Sequence, residues 1–191
     1  MAKVSVGATN DFCPQSLFLY GVYKQDGSPS FGLFCWFSYC WFEELGAMAC
    51  IGGAKQTLER IHATGVFSAN LVTERLLPFA DHCGTISGYE REKMNVPYAW
   101  EKGAVLDVPV LSESPVVFEL EAERFIPLQD GAEVLLCRIR NVLQDELLAQ
   151  EGLSPEEKLR RIAPVSTTCT TYFGWQGDAM GAWGEPAKRL I

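Results

Sequence analysis

The clearest periodicity in the chain lies between Val116 and Arg124, where Phe118, Leu120 and Ala122 alternate with Glu119, Glu121 and Glu123. Such period-two alternation predicts a half-buried antiparallel strand with an acidic outer face. A turn at Gln129-Asp130-Gly131 follows, then a second strand from Glu133 to Val142, in which Cys137 and Ile139 face away from Arg138 and Arg140. Glu and Arg on the outer faces are placed to pair across the two strands, each pair contributing on the order of a few tenths of a kcal/mol.

Upstream, Ser16 to Lys24 is apolar and aromatic, as a buried strand is, and Asp26-Gly27 marks the hairpin turn after it. Phe31 to Phe42 then packs seven aromatics into twelve residues. These rings must face a core, a flat ligand or another subunit; the core takes most, and around Trp36 stacking or an interface is the alternative.

The stretch from 51 to 71 organises the chain. A strand from Ala47 to Ile51 enters Gly52-Gly53, a short helix follows Ala54-Lys55-Gln56-Thr57, and after Gly65 a strand runs from Val66 to Leu71. Thr57 is expected to cap the helix, and Gly65 to take the left-handed position behind it. Uncovered amides at a helix start, with Lys55 and Thr57 beside them, suit a small anion such as phosphate. The same residues also make an ordinary turn that holds only water. Neither P-loop nor G-x-G-x-x-G spacing occurs.

Thr73 to Cys83 reads as a helix capped by Thr73, with Pro78 an irregularity inside it. Gly84 to Gly103 reads as a covering loop carrying Tyr98 and Trp100, and Val105 to Leu111 as a short strand. Ser154-Pro155-Glu156-Glu157 is a helix start with a capping box, ending before Pro164. The tail from Thr167 carries Tyr172, Phe173, Trp175 and Trp183. Six or more strands and three short helices, mostly in antiparallel connection, predict a mainly β fold: a closed or partly closed barrel with peripheral helices.

A length of 191 residues suits one domain over 1–191, with 164–191 as a tail packing on the barrel or on a partner subunit. The net charge of −8 argues against nucleic acid. Seven cysteines at irregular spacing include no C-x-x-C, and neither His62 nor His82 falls in a familiar metal or catalytic pattern. The amino terminus lacks an apolar signal core, and Glu43-Glu44 ends the apolar run short of a membrane span. A soluble, cytoplasmic protein with reduced thiols and no membrane contact is expected. A phosphate turn, a block of aromatics and a barrel together fit a flat cofactor with a phosphate tail, FMN above all. Because such a cofactor carries the redox chemistry, no side chain is assigned as catalytic and no metal is called for.

The order of motifs also resembles the flavin reductase-like, FMN-binding split-barrel family, and within it the flavoredoxin branch. The resemblance runs from Pro14 and Gly21-Val22-Tyr23 through Asp26-Gly27, Trp36, Lys55-x-Thr57-x-Glu59-x-Ile61 and Phe67-Ser68-Ala69-Asn70-Leu71. It continues through Ser87-Gly88 with Lys93 to Tyr172-Phe173-Gly174. It implies a six-stranded antiparallel Greek-key-type barrel that binds FMN non-covalently. By position, Phe34, Cys35, Trp36, Phe37 and Ser38 would line the isoalloxazine. Gly53, Ala54, Lys55 and Thr57 would grip the phosphate, and Asn70 and Lys93 would lie near the cofactor.

The resemblance further implies a homodimer with FMN close to its interface, and an NAD(P)H-dependent flavin reductase. In that activity NADH or NADPH stacks over the flavin and gives hydride to N5, and the electrons leave to free flavin, a metal complex or a redox protein. The alternatives are an electron-transfer or flavin-binding protein that does not use NAD(P)H, and an interaction module that binds no flavin. Three departures from the family pattern stand out. No basic residue lies near Gly52-Gly53, Met94 replaces a Phe, and Glu133 stands where a His is common.

Overall fold

The computed structural model describes residues 2–168 and 171–175. Its strands begin with β1 (Gln15–Ser16), β2 (Phe18–Tyr23), β3 (Pro29–Phe34), β4 (Phe37–Trp41) and β5 (Leu45–Ile51). Helix α1 (Gln56–Thr64), β6 (Val66–Leu71) and α2 (Leu77–Thr85) follow, then β7 (Trp100–Lys102) and β8 (Pro109–Leu111). The two long strands β9 (Val116–Pro127) and β10 (Glu133–Gln144) precede α3 (Pro155–Ile162), β11 (Ser166–Thr168) and β12 (Thr171–Phe173).

Seven strands form one antiparallel sheet in the order β3-β2-β6-β9-β10-β5-β4. Its outermost strands, β3 and β4, are consecutive in the chain and separated only by Cys35 and Trp36. Strands at opposite edges joined by two residues require the sheet to roll up, and the result is a split barrel. The apolar run from Phe31 to Phe42 thus yields two strands where one segment was expected, and the sheet has seven members where six were expected.

The long apolar β2 is explained by burial on both faces. Phe18, Tyr20 and Val22 point into the barrel with Ile51, Phe67, Leu120 and Leu135. Leu19, and Leu17 just before the strand, join Phe31, Val72, Leu76, Ala80 and Cys83 in a second core beneath α2. In α2 itself Pro78 sits in the first turn, where its missing N–H costs nothing, so the helix starts at Leu77 and not near Thr73. In the tail, β11 pairs with both β1 and β12 in a separate sheet, and Val165 just before it exchanges backbone hydrogen bonds with Leu17 and Val72. Trp183 lies outside the described residues. The capping box at Ser154 and Glu157 forms as expected.

Alternation along β9 holds for Phe118 and Leu120, which are buried, and the expected cross-strand pairs join Arg140 to Glu121 (3.2 Å) and Arg138 to Glu123. Arg138 also reaches Glu43 and Glu44, each at 2.8 Å, and so ties down the β4–β5 turn. Glu119 breaks the expected pattern: it is completely buried. Its carboxylate accepts from the amides of Ala104 (2.9 Å), Val105 (2.9 Å) and Leu106 (2.6 Å) and from Asn141 Nδ2 (2.8 Å). Those amides are thereby lost to strand pairing, which is why the strand expected from Val105 contracts to Pro109–Leu111.

Burial alone raises the pKa of Glu119, but the four donors outweigh it and hold the carboxyl below its ordinary value. A carboxyl depressed on folding stabilises the fold above its unfolded pKa, and that stabilisation is lost as pH falls through the folded value. Glu119→Gln should therefore cost about 2–4 kcal/mol at neutral pH, because an amide NH2 would confront backbone donors. In denaturant titrations the deficit should begin to shrink below pH ~4, where the carboxyl of the unfolded chain takes up a proton, and should go on shrinking as pH falls through the lower folded value.

Candidate functional site

The turn after β5 carries Gly53 in the left-handed region (φ 69°), and α1 begins with Lys55 at its N-cap. No side chain caps this helix; Thr57 lies inside its first turn and is buried, so the expected Thr57 cap is not formed. The reason is its surroundings: Thr57 Oγ1 faces β3 at Gly32, where an added Cβ would lie only 3.0 Å away. Gly65 takes the left-handed position behind α1 (φ 75°), as expected.

Between this turn and the C-terminal end of α2 lies a cavity of about 250 Å³. Lys55, Thr57, Thr85, Ser87 and Lys93 line it, along with Ala54. Lys93 comes from the 3-10 turn Arg91–Met94 and is 4% exposed. Its ammonium has no hydrogen-bond or salt-bridge partner among the described residues. Burial pushes its pKa down; nearby Cys83 works in the opposite sense, and Lys55 and Lys24 depress it further. Cys83, lining the same cavity, is pushed up to about 11 by burial, with Lys93 pulling the other way. A largely buried lysine whose ammonium makes no salt bridge, with only the carboxylate charge of Glu90 acting on it from a distance, suits an anion beside a second lysine and three hydroxyls.

A larger cavity, about 760 Å³, adjoins the first; Leu33, Phe34, Gly84 and Thr85 line both. Phe34, Cys35 and Trp36 form one side of it, and Asp81 and Tyr172 also line it. Tyr172 donates to Asp81 Oδ1 at 2.7 Å and so ties β12 to α2. Burial and this hydrogen bond raise the Tyr172 pKa to about 12.

Of the residues expected at the site, Phe34, Cys35, Trp36, Ala54, Lys55, Thr57 and Lys93 line these two joined cavities. Gly53 shapes the adjacent turn. Phe37 and Ser38 line a different, apolar cavity with Phe18 and Phe118, because β4 turns away after Trp36. Asn70 is fully buried within the fold: it donates to Leu19 O and Ser68 Oγ and accepts from Leu111 N. Its polar atoms are committed to holding β2, β6 and β8 together, so it does not enter the cavity. Tyr98, expected in a covering loop, instead stacks on Phe79 behind α2.

Asp81 and Thr85 were not singled out in the sequence, and Ser87 and Tyr172 were named there without a role at the site. Asp81 and Tyr172 meet only through the tertiary fold, and no local pattern marks their pairing. Glu133 binds His62 Nε2 (3.0 Å), while the His62 ring stacks on Phe125; neither His62 nor Glu133 lines the cavities. Among the described residues no group of three or more His, Cys, Asp or Glu side chains is placed to hold a metal, and no helix is long and apolar enough to cross a membrane.

Residues 11–157 match the model of the flavin reductase like domain. The chain belongs to the flavin reductase-like family. It is thus a flavin-binding oxidoreductase of the split-barrel type. No curated protein matches it. Among solved structures, flavoredoxin of Desulfovibrio vulgaris (Miyazaki F) superposes with a TM-score of 0.84 at 22% identity, covering 97% of this chain and 100% of that one. Flavoredoxin from Methanosarcina acetivorans gives 0.84 at 19%, covering 100% of both chains. Nitrilotriacetate monooxygenase component B from Bacillus cereus gives 0.81 at 16%, covering 94% of this chain and 98% of that one. At these identities the likeness is one of fold.

Lys93→Met removes an unpaired buried charge. It should leave the protein as stable, or more stable by about 1 kcal/mol, in phosphate-free buffer. Inorganic phosphate should raise the melting temperature of the wild type and not of this variant.

Proposed function

We propose that the protein binds FMN non-covalently, with its phosphate in the cavity of Lys55, Thr57 and Lys93 and its ring in the adjoining cavity beside Phe34, Cys35 and Trp36. The observation that carries this reading is Lys93, buried with its ammonium unpartnered, at the end of a cavity whose other end is walled by aromatics. Lys93 also supplies the cation that the Gly52-Gly53 turn lacks. When bound, FMN supplies the two-electron chemistry, accepting hydride from NADH or NADPH in the reductase reading. The chain's part is to neutralise the phosphate, orient the ring and exclude water from one of its faces. No side chain is assigned a proton transfer.

The solvent face of β4 and β5 supports a homodimer. Tyr39, Trp41 and Leu45, which the register places on one face of these two strands, are exposed, Trp41 to 76%, as is Trp36 in the link before β4, and a second copy would cover them. Trp36 belongs both to this patch and to the ring cavity, which puts the proposed cofactor near the proposed interface. A second reading, an electron carrier that does not use NAD(P)H, is favoured by one feature. Glu133 occupies the position where the family commonly has a His, and it is engaged with His62 away from the cavities.

Purified protein with added FMN should show a bound-flavin spectrum. A Lys55→Ala/Thr57→Ala double variant should weaken FMN binding by about 100-fold or more, since each charge-assisted contact is worth about 1.5–3 kcal/mol. Wild-type protein that takes up no FMN refutes the proposal. Anaerobic titration separates the two readings: NADH or NADPH should rapidly bleach the flavin of a reductase and leave that of a carrier unchanged. Trp41→Arg should convert a dimer to monomer in sedimentation.

A further inference from the structure

Helix α2 has a second cavity on its other side. Asp81, Gly84 and Thr85 face the proposed flavin site, whereas Pro78, Phe79 and His82 line a separate cavity of about 410 Å³. We propose that this cavity binds a small neutral phenol, and that its occupancy is transmitted to the anion site through Lys93. The binding claim is independent of the flavin reading; the transmission rests on it.

The cavity wall is built for a flat ring. Phe79 and Tyr98 stack with centroids 5.1 Å apart and planes at 21°, and Phe31 meets both edge-on from beneath. A planar ligand entering there extends an existing aromatic stack. Charge does not favour an ion. Arg75 and Glu113 line the same cavity, but they pair with each other at 3.4 Å.

The polar requirement comes from His82. Its Nε2 lies 2.8 Å from the carbonyl oxygen of Lys93. A carbonyl only accepts, so Nε2 carries the proton, and in the neutral ring Nδ1 is left as a lone-pair acceptor. Nδ1 has no partner among the described residues. A ligand in the cavity that reaches Nδ1 must offer it a hydrogen-bond donor, and on a small neutral aromatic ring a phenolic O–H does so.

The same bond supplies the coupling. His82 holds the backbone of Lys93, and the Lys93 side chain is the buried cation of the anion cavity. A ligand that shifts the His82 ring displaces the residue that faces the phosphate. Binding at the two cavities is therefore linked, and the linkage is reciprocal.

The probe is 4-methylphenol, with 4-methylanisole as the ring that lacks the donor, titrated by calorimetry into FMN-saturated protein. The phenol should bind about tenfold more tightly than the ether, the value of one hydrogen bond. His82→Phe should abolish that difference. Ala99→Leu fills the cavity from an exposed position and should abolish binding of both compounds. In flavin-fluorescence titrations, saturating 4-methylphenol should change the FMN dissociation constant of the wild type by about fivefold or more, and that of Ala99→Leu not at all.

Equal binding of phenol and ether, unchanged binding to Ala99→Leu, or no binding at millimolar concentration overturns the site. Phenol binding without any change in FMN affinity overturns the transmission alone. Protein that takes up no FMN defeats the flavin reading, while the phenol titration of that same protein still decides the cavity.

Discussion

The link Cys35-Trp36 is the constraint on which the architecture depends. From Phe34 to Phe37 the chain makes three Cα steps and reaches at most about 11 Å. A flat sheet of seven strands would separate its edge strands by about 29 Å. The only way to place β3 and β4 at opposite edges with so short a link is to roll the sheet until those edges approach. The link then lies where the barrel comes closest to closing. Cys50 N holds it there with a hydrogen bond to Trp36 O at 2.9 Å.

The candidate site follows from that closure. Phe34, Cys35 and Trp36 are brought to the cavity because they occupy or border the link, and Gly52 to Thr57 follow directly on β5, the neighbour of β4. Helix α2 completes the pocket by packing on β3 at close range, with Gly84 against Leu33. Nothing in this arrangement needs a catalytic dyad. What the chain provides is a cationic end, an aromatic end and a continuous path between them.

Much of this was legible in the sequence because local rules govern it. The β9–β10 hairpin, the Asp26-Gly27 turn, Gly65 behind α1 and the capping box at Ser154 all depend on residues close in the chain. The failures share one cause, which is that a distant group claimed a residue. Glu119 fits the outer face of an amphipathic strand until the loop at 104–106 brings three amides to it. Asn70 sits in a motif tied to cofactor binding by resemblance, yet its amide is fully used between strands. Lys93 and Thr57 entered the reading through motif position, and only the fold reveals that both are buried at one cavity. The pairing of Asp81 with Tyr172 had no signal, since neither periodicity nor spacing connects α2 to β12.

The pairing of β5 with β10 brings Ile51 opposite Glu133, while β9 and β10 are joined by a single tight turn. The hairpin is therefore cheap to form early, and the barrel is not. Closing it requires the chain to bring together segments separated by nearly half its length, at an entropic cost that no local contact offsets. Within the seven-stranded sheet, the β5–β10 pairing joins the segments furthest apart in the chain. Until that closure occurs, β5 keeps a bare hydrogen-bonding edge and the barrel's aromatic interior stays open to other chains. The two-residue link that makes the finished barrel compact also obliges it to assemble nearly all at once.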